Sequence, residues 1–312
     1  MHNSQAPTQF ASSIGGGQDL RQKMSFWIMA ARPRTLILSV TPVIVGTALA
    51  WAMEGRVHWL AVVAALLGSL FIQLGTNIHN DAADFERGGD GPGRIGPPRV
   101  TASGLLDPAT VHLGAIVCFG IAALMGVYLV VVGGWWILIL GVLSIAAGWG
   151  YTGGPVPIAY TPLGELFCVA FLGVGSVGGT YFLSTNQISW PALTTGLAIG
   201  SLTAAVLLVN NYRDVVSDAR AGRRTLPITV GPQWTIAIFG GLMLMPFLLL
   251  PVISHGLPYG QVWLALVALP LALFVIFRFA REPRGPVFNR ILVQTVQVQF
   301  AFSLLLAFGL VL

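Results

Sequence analysis

Charge is what this chain has least of. Only 9% of its 312 residues are Asp, Glu, Lys or Arg, where a soluble domain carries roughly 25%. With 55% hydrophobic residues and a mean hydropathy of +0.80, the composition excludes an ordinary water-soluble fold and points to an integral membrane protein. Cysteine is nearly as scarce. Cys118 and Cys168 both fall in apolar stretches, far apart and without metal-ligand spacing, so they read as small buried hydrophobes, with no disulfide framework or thiolate centre. Residues 1–23 lack the apolar core and cleavage site of a signal peptide. They are expected to form a mobile tail ahead of one membrane-embedded domain, 24–312, entered through a short interfacial helix around 26–34.

A helix needs about 20 mostly apolar residues to cross a bilayer. Nine stretches qualify: 35–53, 58–79, 110–132, 135–151, 162–184, 191–212, 234–253, 261–280 and 289–311. Their long continuous runs do not suit the period-two alternation of a β-barrel. The expected fold is therefore all-α, a polytopic membrane protein of nine transmembrane helices.

Counted on that layout, 15 of the 16 basic residues lie on the side of the N-terminus, and Arg56 alone lies opposite. The positive-inside rule then places the N-terminus in the cytoplasm. The net charge of +5 is on this reading a membrane signature, and no nucleic-acid partner is expected.

Two polar bursts interrupt the apolar pattern, each at the cytoplasmic end of a span: "NIHNDAADFERGGD" (77–90) and "NNYRDVVSDARAGRRT" (210–225). On a helix, Asp81, Asp84 and Asn80 lie at about 40°, −20° and −60° from Asn77, one face for all four. The same construction puts Asp214, Asp218 and Asn211 at about 40°, 80° and 100° from Asn210. If spans two and six bring these faces together, they form a cup of oxygen ligands. Close carboxylates repel unless a cation neutralises them. Oxygen donors without ligating His or Cys favour Mg²⁺ over zinc or copper. Arg94 and Arg99 follow the first burst, Arg223 and Arg224 the second, and Arg is shaped for phosphate oxygens. Metal and Arg forks together suit a diphosphate.

Other readings stay open at this level. Acids and Arg at helix ends also occur as plain interfacial residues. Ionisable groups in corresponding halves could line a transporter's ion path, although both bursts lie at the rim and the opposite face is nearly bare. An alcohol phosphotransferase would pack its acids into one motif. The Gly- and Pro-rich loop 87–104 is long enough to cover a site, with Asp90 able to reach back to a metal. A second loop, 150–165, carries Tyr151, Tyr160 and then Glu165 on the same face. His79 points away from the acids and reads as packing, and His112 has no evident partner in sequence.

Four stretches in this order, "ARPRTL" (31–36), "NDAADFERGGD" (80–90) with "SGLL" (103–106), "YTGGPVPIAYTPLGEL" (151–166) and "NNYRDVVSDARAGRRTL" (210–226), resemble the UbiA superfamily of intramembrane prenyltransferases. Within it they are similar to the menaquinone-pathway members that act on 1,4-dihydroxy-2-naphthoate. The resemblance implies transfer of a polyprenyl group from polyprenyl diphosphate to an aromatic acid acceptor, in the bacterial inner membrane with the site facing the cytoplasm. It implies Mg²⁺ held by Asn80, Asp81, Asp84, Asp214 and Asp218. Asn77, Asn210, Asn211, Arg94, Arg99, Arg223 and Arg224 would bind the diphosphate, Tyr151 would lie near the cation or the leaving group, and Arg32 and Arg34 would take the acceptor's carboxylate. Relatives within the superfamily use 4-hydroxybenzoate in ubiquinone synthesis, and this chain departs from the pattern at Arg223, often Lys, and Ala82, often Tyr.

Overall fold

The computed structural model describes residues 16–89, 95–257 and 260–312, with side chains from residue 20 onward. Among them there is no strand. The elements are α1 (Gly16–Ala31), α2 (Pro33–Glu54), α3 (Trp59–Glu86), α4 (Pro108–Gly150), α5 (Gly164–Thr185), α6 (Trp190–Arg213), α7 (Val215–Arg220), α8 (Leu226–His255), α9 (Val262–Arg281) and α10 (Phe288–Val311). Much of the expected tail lies outside the described residues. Helix α1 is described from Gly16, ten residues ahead of the helix expected at 26, because its first two glycines lead directly into a stretch of good helix formers.

Local chemistry sets the boundaries. Asp107 caps α4, its carboxylate accepting from the backbone N–H of Thr110 at 2.9 Å, with Pro108 at the first helical position. Ser189 caps α6 in the same manner through Ala192. Helix α2 stops at Gly55, whose left-handed backbone (φ 64°) suits glycine.

Eight described helices are long and apolar enough to cross a membrane, one fewer than the nine expected. The difference lies in α4, where 43 residues form one element interrupted by the non-helical Gly134 (φ 65°, ψ −151°). The chain reverses there. Leu129 and Ile137, on either side of the break, both pack near Ala61 and Ala64 at the start of α3, while Val111 and Ile145 pack with Ile78 near its end. Helix α8 has a similar break at Gly231, next to Pro232.

Helix α6 is the central rod, its apolar window 78% buried, and α2, α5, α8 and α10 pack around it. The outer faces of α3 and α4 present Leu60, Leu113, Ile116, Leu124 and Val131, as lipid contact requires. Apolar lipid supplies little drive for helices to associate, so close backbone approach does that work. At the α5–α6 seam a Cβ on Gly200 would stand 2.8 Å from the Cα and carbonyl of Val169, and one on Gly196 would stand 2.6 Å from Val174 Cα. Gly200→Val is therefore expected to cost about 3 kcal/mol of stability, read as a lowered melting temperature in detergent. An unchanged melt would mean the seam is looser than described. Residues Cys168–Gly175 of α5 form a π-helical stretch against this seam, and such bulges are frequent at functional sites.

Candidate active site

The end of α3 that carries the first polar burst is buried without interruption from Asn77 to Asp84, and its Asn and Asp side chains each have a partner from another element. Asn77 donates to the Ala31 carbonyl at 2.9 Å and to Thr35 Oγ1 at 3.1 Å, which ties α3 to the corner between α1 and α2. Asn80 Oδ1 accepts from Thr152 Oγ1 at 2.6 Å. Asp81 accepts from the backbone N–H groups of Val100 (3.3 Å) and Thr101 (2.9 Å), so its carboxylate fixes the turn that follows the Gly- and Pro-rich loop.

Asp84 is the hub. Arg99 donates to its Oδ2 at 2.8 Å and Arg223 to its Oδ1 at 2.6 Å, with Asp84 only 2% exposed. The other arm of Arg223 stands 3.5 Å from Asp218, and its guanidinium lies 4.8 Å from the centre of the Tyr160 ring. One cation thus spans the two polar bursts, residues that are far apart in sequence. Burial alone would lower the pKa of Arg223, but the Asp84 and Asp218 carboxylates outweigh it and hold the guanidinium above its ordinary value. A Cβ on Gly89 would lie 3.1 Å from Arg223 Nη2, so glycine there lets the loop close over the pair.

The second burst is only partly arranged as the helical wheel has it. Helix α6 ends at Asp214 (φ −95°, ψ 8°), and Asp218 belongs to the separate short helix α7. A single wheel therefore does not apply to both acids. Arg213, 3% exposed, grips Asp214 with two arms (Nε–Oδ1 2.8 Å), and Asn210 Oδ1 at 2.8 Å. Asn211 turns the other way and donates to Glu165 Oε1 at 2.9 Å. The structure thus joins Asp84, Asp218, Arg99 and Arg223, and keeps Asp81 on its turn and Asp214 on Arg213. Arg34 and Arg224 are exposed, and Arg32 is half-buried at the left-handed N-cap of α2 (φ 51°). Asp90 and Arg94 lie outside the described residues.

Among the described residues no three His, Cys, Asp or Glu side chains converge as a ready metal cage. The charge pattern nevertheless fits a cation: the Arg223 guanidinium stands between two buried carboxylates that would otherwise repel. Their oxygens, with those of Asn80, Asp81 and Asp214, are hard donors suited to Mg²⁺.

Below this cluster opens an apolar cavity of about 610 Å³, lined by α3, both arms of α4, and α5. Tyr151, Thr76, Gln73 and Cys168 are at its head, and Leu129, Ile137 and Leu183 at its foot. Gln73 donates to Asn77 one turn above, at 3.4 Å, so the cavity adjoins the polar cluster directly.

Several partners were not marked as site residues by the sequence. Arg213 also donates to Asn289 of α10 at 2.8 Å, and Asn289 donates to the Ile95 carbonyl at 3.2 Å, linking the second burst to the loop that carries Arg99. His79 stacks on Trp149 at 4.0 Å and shares a 3.2 Å hydrogen bond with His112, which reaches Glu86 at 3.2 Å. His79 thus faces away from the acids, and His112 has the partners its sequence context left unseen.

A family model described as the UbiA prenyltransferase family matches residues 39–310, nearly the whole chain. The chain belongs to the UbiA prenyltransferase family. Among curated relatives of this family member, the 1,4-dihydroxy-2-naphthoate octaprenyltransferase of Mycobacterium tuberculosis is 36% identical over 79% of this chain and 83% of its own. The Bacillus subtilis protein of the same name is 31% identical over 96% of this chain and 97% of its own. In fold, the prenyltransferase superposes on a UbiA homologue from Archaeoglobus fulgidus, solved with DMAPP and Mg²⁺, at a TM-score of 0.66. That match covers 92% of this chain and 99% of the homologue at 16% identity. Family membership sets the transporter and phosphotransferase readings aside and makes this a multi-pass membrane prenyltransferase.

Proposed function

We propose that the protein transfers a polyprenyl group from polyprenyl diphosphate to 1,4-dihydroxy-2-naphthoate, with loss of CO₂, as a step of menaquinone synthesis. The observation that carries this is Arg223 held between Asp84 and Asp218 at the end of α3, the helix whose Gln73 and Thr76 line an apolar cavity; the names of the relatives supply the acceptor. The enzyme is proposed to lie in a bacterial cytoplasmic membrane as a domain spanning 24–312, its N-terminus and acidic rim on the cytoplasmic side.

The isoprenoid tail occupies the apolar cavity, and its diphosphate meets the buried rim above. Arg99 and Arg223 exchange one anion for another there, releasing Asp84 and Asp218 as they take phosphate oxygens. Asn80, Asp81, Asp84, Asp214 and Asp218 are the residues that would hold Mg²⁺, which when bound neutralises diphosphate charge and favours its departure. As the allylic C–O bond breaks, Arg99 and Arg223 stabilise the charge growing on the leaving group in a site of low dielectric. Tyr151, at the cavity head, offers its ring to the allylic cation. The acceptor ring supplies the electron pair for the new C–C bond, and its carboxylate then leaves as CO₂, the pair from the broken C–C bond restoring the aromatic ring. The apolar lining excludes the water that would quench the cation.

The test is transfer of labelled polyprenyl diphosphate in vesicles containing the protein, with either the naphthoate or 4-hydroxybenzoate as acceptor, with and without chelator. Prenylated naphthoate, lost on chelation, is the expected product. Product from 4-hydroxybenzoate alone would move the protein to ubiquinone synthesis, and no product from either would overturn the reading.

A further inference from the structure

Glu165 has no part in the diphosphate arrangement, yet it is the acidic side chain at the site whose hydrogen bonding is half complete. It is 6% exposed, on the first turn of α5. Asn211 donates to Oε1 at 2.9 Å, while Oε2 is buried with no partner among the described residues. A buried carboxylate oxygen left without a donor is costly. Its surroundings are the seam between cavity and cluster. A Cβ on the preceding Gly164 would lie 3.4 Å from the Tyr151 hydroxyl, and Cys168, one turn further along α5, lines the cavity head with Tyr151.

For the ionised carboxylate, the partner that suits Oε2 is a hydrogen-bond donor. Asn211 already supplies a donor to one oxygen, and an ionised carboxylate can only accept. Prenyl diphosphate does not qualify, because its tail has no donor and its head is an anion that a carboxylate repels. A hydroxyl on an aromatic ring does qualify. Resting on the prenyl-transfer reading, we propose that Glu165, with Tyr151 beside it, forms the acceptor subsite, and that Glu165 Oε2 accepts a hydrogen bond from a ring hydroxyl of the aromatic acceptor. The bond orients the ring against the cavity head and draws the hydroxyl proton toward the carboxylate, enriching the ring in electrons as it attacks. Glu165 decides specificity, and the diphosphate is left to the Arg pair.

Glu165→Gln keeps the shape and the Oε1 acceptor for Asn211, and puts an amide N–H₂ where Oε2 stands. In the vesicle assay its KM for the hydroxylated acceptor is expected to rise about 10- to 100-fold, the range for a hydrogen bond to a charged group. KM for polyprenyl diphosphate and the melting temperature should stay near those of the natural protein. An equal rise in both KM values, or no rise in either, overturns the assignment. A second arm needs no variant. Acceptors with each ring hydroxyl methylated in turn should be discriminated against by the natural protein at one position, and Glu165→Gln should lose that discrimination. A natural protein indifferent to methylation at both positions overturns the subsite while leaving prenyl transfer intact. A natural protein that prenylates no hydroxylated acceptor sinks the underlying reading instead.

Discussion

Replacing Asp84 by Asn is expected to slow prenyl transfer by about 10³-fold, equivalent to about 4 kcal/mol of transition-state stabilisation. The reason is its double engagement. Both oxygens are taken by guanidiniums, Arg99 at 2.8 Å and Arg223 at 2.6 Å, in a site closed to solvent. Asn keeps the shape but offers one weak acceptor in place of an anion, so two buried cations lose their common counter-charge. The loss should also appear as a lower melting temperature without substrate. Added polyprenyl diphosphate, an anion for the same two Arg, should recover part of that melt without restoring turnover. A variant that turns over within tenfold of the natural protein would show that Asp84 is merely structural.

The second large effect is at Arg223. Arg223→Ala should lower kcat by about 10²- to 10³-fold, the range for removing one preorganised charge-stabilising donor. The fold should hold, because Arg99 still neutralises Asp84. Arg223→Lys keeps the charge and loses the fork that touches Asp84 with one arm and Asp218 with the other. Its rate should fall between the two, with most of the deficit in kcat. Equal rates for Lys and Arg at 223 would mean that charge alone matters, and that the bridge between the two polar bursts has no catalytic part. Single-turnover rates at saturating acceptor are the measurement.

Both predictions rest on residues legible in the sequence, and for Asp84 the reason is the regularity of α3. A continuous helix lets a wheel place Asn77, Asn80, Asp81 and Asp84 on one face, and all four are buried together. The same wheel failed beyond Asp214 because the helix stops there, and nothing in "RDVVSDAR" announces the break. The apolar runs were readable, and the break expected between 132 and 135 coincides with the non-helical Gly134, although both arms belong to one helical element there. What pattern could not supply were partners that chain topology alone creates. Asn289 reaching Ile95, Thr152 reaching Asn80 and Asn211 reaching Glu165 are pairings of residues distant along the chain. Arg213 stood in view but its work was hidden, since a basic residue at a helix end is the ordinary interfacial pattern.

The reversal in α4 has a mechanical consequence. Neither arm carries Asp, Glu, Lys or Arg, and the bend itself presents Trp135 and Trp136, 69% and 66% exposed. Tryptophan favours the water–lipid boundary, so the depth of this hairpin follows the position of that boundary, with no charge to pin it elsewhere. Its two arms are also the outer wall of the cavity. Hydrophobic mismatch at this hairpin therefore acts on a wall of the cavity, which makes bilayer thickness a physical variable of this part of the fold.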